Sequence, residues 1–265
     1  MNIDDYYEQL GSGPAIVFIH GSYASTSTWK KMVEQLAVNH QCILIKLPGH
    51  CGTPDPEDFT HPTIDTELEI VRQVIIKLTD APVHLVGHSF GGVVALSLAL
   101  KGSVPLSQMT LFEPVAVWVL DRMKDNKQAV AVQTFLTEYF HAVETNKPEA
   151  YGQVIDFWGG NGAFAPLPKF IKESMSLLVK NNVRHWNLCT AIDNTLDDLH
   201  HLKVPTRLVC GAQSNAVAHA IVDHLKHELP TSKKYTLKGA SHFLVTSHVD
   251  ECLFALTDRS ILSEQ

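Results

Sequence analysis

Six short runs of strand length recur along the chain, at residues 15–19, 42–47, 83–86, 109–112, 206–210 and 234–237. Each is bounded by glycine, proline or polar residues. Between them, residues 29–38 and 64–78 carry apolar side chains at three- and four-residue spacing, the signature of a helix with one buried face. Short buried strands alternating with helices leave few solutions. The pattern predicts an α/β fold with a mostly parallel central sheet and helices on both faces.

The alternation stops after about residue 115 and resumes near 204. The stretch between reads as helical. Val132, Phe135, Leu136, Tyr139, Phe140 and Val143 form one stripe, residues 170–179 form a second helical pattern, and Gly159-Gly160-Asn161-Gly162 marks a turn between them. We therefore expect residues 1–114 and 204–265 to build the core and residues 115–203 to form a helical cap over the strand ends. At 265 residues the chain suits one large domain with such an insertion.

Composition excludes several classes. Hydrophobic residues at 45% and charged residues at 18% rule out a disordered chain. A net charge of −7, from 21 basic and 28 acidic residues, argues against a nucleic-acid partner. The cysteines number five, an odd count, and none sit as C-x-x-C, so neither a disulfide framework nor a zinc ribbon is indicated. A reducing, cytoplasmic setting is expected. The N-terminus is acidic and lacks an apolar run, so no signal peptide is expected. Residues 83–100 carry no Asp, Glu, Lys or Arg and are long enough to span a membrane. Glycines and polar residues interrupt the middle of that stretch, which favours strand–turn–helix, and no membrane partner is expected. There is no G-x-G-x-x-G after a strand and no P-loop, so no cofactor is implied. His224 and His227 lie three apart, but no third ligand accompanies them, and an exposed helix face is expected rather than a metal site.

Gly87-His88-Ser89-Phe90-Gly91 matches G-x-S-x-G. The pattern is short, but its setting is specific: residues 83–86 read as a strand before it, and Gly92-Val93-Val94-Ala95-Leu96 opens a helix after it. A serine on such a turn has a strained backbone that pushes its hydroxyl out of the sheet. The glycines are expected because side chains two positions either side would collide across the bend. The helix N-terminus adds N–H groups that favour developing negative charge.

With this motif, Phe18-Ile19-His20-Gly21-Ser22, Leu47-Pro48-Gly49-His50-Cys51-Gly52 and Gly239-Ala240-Ser241-His242, the chain resembles a capped α/β-hydrolase over nearly its whole length. The resemblance implies Ser89 as nucleophile and His242 as its base. It also implies an oxyanion hole from the backbone N–H groups of Ser22 and Phe90, with Tyr23 lining the same pocket. Serine at position 89 disfavours the aspartate-based branches of the family. Tyr23, Trp118 and Trp158 are the candidate substrate contacts, although cap aromatics also serve as the cap's own core. His20 receives no catalytic role, and Cys51 reads as a small loop residue.

The acid departs from the family pattern. The usual G-x-x-D reads here Gly211-Ala212-Gln213-Ser214, which puts Ser214 in the acid slot, and a hydroxyl cannot stabilise an imidazolium as a carboxylate does. A second family position, after the strand that follows the nucleophile helix, holds Glu113 in Leu111-Phe112-Glu113-Pro114. Glu113 is the favoured acid, with Asp193 or another cap carboxylate, or a dyad without an acid, as alternatives. Lys46 replaces the Asp of a common Asp-x-Pro-Gly-His segment, a position with a structural role. The expected activity is a serine hydrolase acting on a small, mainly apolar carboxylic ester through an acyl-enzyme. Its partner would be a small-molecule substrate. Carbon–carbon bond hydrolysis, thioester hydrolysis and acyl transfer use the same machinery, and a non-catalytic ligand receptor is the rival from another class.

Overall fold

The computed structural model describes residues 2–262. Seven strands form one sheet: β1 (Tyr7–Leu10), β2 (Ala15–Ile19), β3 (Gln41–Ile45), β4 (Val83–His88), β5 (Leu106–Phe112), β6 (Thr206–Gly211) and β7 (Ser232–Leu237). Their order is β1-β3-β2-β4-β5-β6-β7. β1 runs antiparallel to β3, and every other pair is parallel. The six expected strands are all present. β1 was not anticipated: it is an edge strand with no buried residue, so it shows no apolar run.

The helices are α1 (Lys30–Leu36), α2 (Asp65–Leu78), α3 (Phe90–Lys101), α4 (Trp118–Arg122), α5 (Asn126–Glu144), α6 (Gly152–Gly159), α7 (Lys169–Ser176), α8 (Val179–Ala191), α9 (Leu196–His201), α10 (Ala216–Glu228), α11 (Leu244–Ser247) and α12 (Val249–Thr257). Side chains alternate across a strand, and here the alternation feeds two cores. Val17 and Ile19 of β2 pack with α2, α3 and α10, whereas Ile16 and Phe18 pack with α1 and α12 on the other face. Both faces of the sheet are therefore covered. Among the described residues no helix is long and apolar enough to cross a membrane. The uncharged stretch at 83–100 is β4, the turn at Ser89, and α3.

Between β5 and β6 the chain runs through α4–α9. The stripe expected from Val132 to Val143 lies on α5, with Val132, Phe135, Leu136 and Tyr139 buried. The single helix expected over 170–179 is two helices. α7 ends at Ser176, Leu177 stands 82% exposed, and Leu178 N–H closes a turn on the Met175 carbonyl before α8 begins. α8 then buries Asn181, Asn182, Arg184 and His185, polar residues that the apolar spacing could not register.

Register brings the site together. His88 lies opposite Phe112, and Phe112 opposite Val209, so β4, β5 and β6 end side by side. The next residues continue the match: Ser89 N–H donates to the Phe112 carbonyl and Glu113 N–H to that of Val209.

Candidate active site

Ser89 sits between β4 and α3 with φ 55° and ψ −121°, a region non-glycine residues rarely occupy. The turn is held by its own carbonyl, which accepts from Gly92, Val93 and Val115 N–H groups. A Cβ at Gly87 would collide with the Gly91 carbonyl across the bend, as the motif implies. Gly91 has a different reason. A Cβ there would strike the carbonyls of Ile19 and His20 at the end of β2, so this glycine lets the helix approach the neighbouring strand.

His242 follows β7 on a loop that is tied to the β6–α10 loop: Ala212 N–H donates to the Leu237 carbonyl and Gln213 N–H to that of Ala240. His88 Nε2 lies 2.9 Å from the His242 carbonyl and donates to it. Burial, with the neighbouring His242, pushes His88 down to about 3, so it stays neutral. This second tether was not anticipated.

The side chains converge. His242 Nε2 lies 3.0 Å from Ser89 Oγ, and His242 Nδ1 lies 2.7 Å from Glu113 Oε2. The other carboxylate oxygen, Oε1, accepts the Gly211 N–H at 2.7 Å and the Ser214 hydroxyl. Ser214, in the slot where the sequence lacks its acid, thus donates to the carboxylate supplied by another strand. Glu113 is fully buried. Burial works to raise its carboxyl, but the hydrogen bond and charge of His242, then Ser214 and Gly211, outweigh it and hold the group at about 2. A hydroxyl in contact with an imidazole whose far nitrogen is held by an ionised carboxylate is an arrangement for nucleophilic catalysis.

Phe90 is the first residue of α3, so its N–H has no intrahelical acceptor. The Gly21–Ser22 turn runs beside Ser89: a Cβ at Gly21 would lie 3.1 Å from that of Ser89. The Ser22 side chain is also engaged, 2.7 Å from His185 Nδ1 and 2.8 Å from Asn182 Nδ2. Neither α8 residue was singled out in the sequence, and their one signal is polar chemistry on the buried face of a helix.

The candidate substrate contacts divide. Trp158 stacks on His242, with centroids 4.9 Å apart, and is itself stacked on Trp186. Phe243 packs edge-on to the same imidazole. Tyr23 lies next to Ser22 and bonds Tyr139 through its hydroxyl at 3.0 Å. Trp118 is elsewhere, in the wall of a cleft of about 660 Å³ with Leu136, Arg122 and Asp193. Asp193, the alternative acid, is exposed there, and the His242 Nδ1 partner is Glu113. His224 pairs with Asp125 at 3.0 Å and His227 with Glu228 at 2.5 Å, each a single carboxylate contact. Cys51 is exposed, at φ 55°.

Similar proteins were found by sequence and by structure. The chain is 26% identical over 257 residues to the pimeloyl-(acyl-carrier protein) methyl ester esterase of Aeromonas salmonicida (strain A449), covering 91% of this chain and 93% of that protein. It is 23% identical over 255 residues to the monoacylglycerol lipase ABHD6 of Mus musculus, covering 89% and 72%. The structure of MenH from S. aureus superposes with a TM-score of 0.73 at 21% identity, over 98% of both chains, and so shares the fold. The model of the alpha/beta hydrolase family matches residues 16–253, almost the full span of the sheet and of the helices that cover it, and the chain belongs to that family.

Proposed function

We propose that this protein is a serine hydrolase that cleaves a small, mainly apolar carboxylic ester through an acyl-enzyme. The observation that carries the reading is the continuous relay from Ser89 Oγ through His242 to Glu113, at 3.0 and 2.7 Å. Ser89 Oγ attacks the ester carbonyl carbon while His242 Nε2 takes its proton. Glu113 remains ionised and holds the Nδ1–H of the imidazolium. The Ser22 and Phe90 N–H groups receive the oxyanion, whose charge exists only in the transition state and the tetrahedral intermediate. Collapse breaks the bond to the alkoxy oxygen, which leaves as the alcohol with the proton from His242. Water then attacks the acyl carbon, gives its proton to His242, and the second collapse returns that proton to Ser89 and releases the acid.

Residues 115–203 serve in this reading as a cap over the strand ends. The apolar substrate class rests on Trp158 and Phe243 against His242 and on Tyr23 beside Ser22. Ester cleavage is favoured over the other acyl chemistries by the names of the relatives, a methyl ester esterase and a monoacylglycerol lipase. The five cysteines are unpaired, which fits a cytoplasmic setting.

A fluorophosphonate probe and a panel of p-nitrophenyl esters, thioesters and vinylogous diketones test the proposal. Wild-type protein should be labelled and should turn over esters best, and Ser89→Ala should do neither. An unlabelled wild type, or equal labelling of Ser89→Ala, would refute it.

A further inference from the structure

We propose that His185, on α8, is a positioning residue that holds both oxyanion-hole segments, resting on the serine-hydrolase reading above. Three rings stack in a column. His50 faces His185 at 5.3 Å with 12° between planes, and His185 faces Phe90 at 3.7 Å with 9° between planes. The two ends of the column grip the two donor segments. Phe90 supplies one N–H. Ser22 supplies the other, with its carbonyl 2.6 Å from His50 Nε2 and its hydroxyl 2.7 Å from His185 Nδ1.

The hydrogen-bond directions define the imidazole's role. Tyr139 donates to Asn182 Oδ1 at 2.7 Å, so the Asn182 amide NH₂ is the group that donates to Ser22 Oγ at 2.8 Å. The Ser22 proton is then free for one acceptor, His185 Nδ1. Tyr23 lies 3.0 Å from Tyr139 Oη and completes a one-way chain from Tyr23 to His185. His185 is buried, which pushes it well below its ordinary pKa and keeps it a neutral acceptor. Its Nε2 is buried with no hydrogen-bond partner among the described residues. A buried polar atom of that kind carries a desolvation cost that an apolar side chain would avoid. What an apolar residue cannot supply is the acceptor for Ser22. One side chain therefore fixes the β2–α1 loop by a hydrogen bond and the start of α3 by ring contact. Two amides that must meet one oxygen gain from being referenced to the same group, because a misplacement of about 1 Å can cost on the order of 10²-fold in rate.

Substitutions separate the two arms. His185→Phe keeps the ring contact and removes the acceptor, Ser22→Ala removes the hydroxyl and keeps the backbone N–H, and His185→Ala removes both arms. Kinetics on a p-nitrophenyl ester, with a trifluoromethyl ketone as an oxyanion-forming inhibitor, read the effect. For His185→Ala we expect kcat to fall on the order of 10²-fold with KM within about threefold, and the inhibitor constant to rise in parallel with the loss in kcat/KM. Ser22→Ala and His185→Phe should each lose roughly 10-fold, and the double variant should be no worse than Ser22→Ala alone, since that substitution already deletes the Ser22–His185 bond together with the one from Asn182. Melting temperatures identify folded variants, and if His185→Ala does not fold, the other two carry the test. Folded variants with kcat within about twofold of wild type, losses confined to KM, or multiplying losses in the double variant would overturn the role of His185. A wild-type protein that fails to label with fluorophosphonate would instead overturn the parent reading and this inference with it.

Discussion

Replacing Glu113 by glutamine changes one charge and almost no volume, and the geometry makes its effect specific. Oε1 receives two donors, the Gly211 N–H at 2.7 Å and the Ser214 hydroxyl. The single oxygen of a glutamine must stay with them. Its NH₂ then faces His242 Nδ1, which lies 2.7 Å from the present Oε2. Two donors cannot face each other, so the imidazole takes the tautomer with its proton on Nε2. That proton points at Ser89 Oγ, 3.0 Å away, where the base needs a lone pair. The equivalent change in a serine protease costs about 10⁴ in kcat, which at about 1.36 kcal/mol per tenfold is roughly 5.4 kcal/mol of transition-state stabilisation. We expect a loss of that order for Glu113→Gln in kcat on a p-nitrophenyl ester, with KM nearly unchanged because Glu113 touches His242 and not the substrate. Asp193→Asn, exposed in its separate cleft, should retain wild-type turnover. Glu113→Gln turnover within about tenfold of wild type would refute the tautomer reasoning and remove Glu113 from the relay.

Three further outcomes follow from the same geometry. Glu113 is held at about 2 in the folded protein against a usual value of 4.5, so its ionised form adds stability that is fully present above 4.5 and disappears as pH falls through the folded value; the gap in denaturation midpoint between wild type and Glu113→Gln should narrow between about pH 5 and pH 2, and a constant gap would contradict the shift. Ser89→Gly and Ser89→Ala both lack the hydroxyl, but only glycine accepts φ 55° without strain, so Ser89→Gly should unfold at higher urea by roughly 1 kcal/mol; equal stabilities would show that the turn is unstrained. Arg184 bridges Asp58 at 2.6 Å and the fully buried Glu67 at 2.5 Å, so Arg184→Met should cost about 3–5 kcal/mol in urea unfolding by leaving Glu67 unpaired, and adding Glu67→Leu should recover much of it. A loss under about 1 kcal/mol for Arg184→Met would mean that the buried ion pair does not hold α8 to α2.

The layered sheet and its helices were legible because burial on two faces writes itself into local apolar runs, most clearly at Ala15–Ile19, where all five residues are buried, while Ser232–Leu237, buried only at its two ends, carries a weaker signal. The edge strand Tyr7–Leu10 escaped because it pairs on one side only and buries none of its side chains, so it leaves no apolar pattern. The Ser89 turn was legible for the same local reason: its glycines and flanking apolar runs all lie within a few residues. The acid was legible only as a favoured candidate, Glu113, beside Asp193 and an acid-free dyad, since Glu113 and His242 stand 129 residues apart and the choice among carboxylates depends on which strand ends are neighbours. β5 lies between β4 and β6, so Glu113 arrives between Ser89 and Gly211, and Ser214 becomes its donor rather than its replacement. The part played by α8 belongs wholly to the tertiary structure. Asn182 and His185 are unremarkable letters in a helix until that helix folds back, 160 and 163 residues from Ser22, and buries them against it, where each lone pair and proton must find its partner.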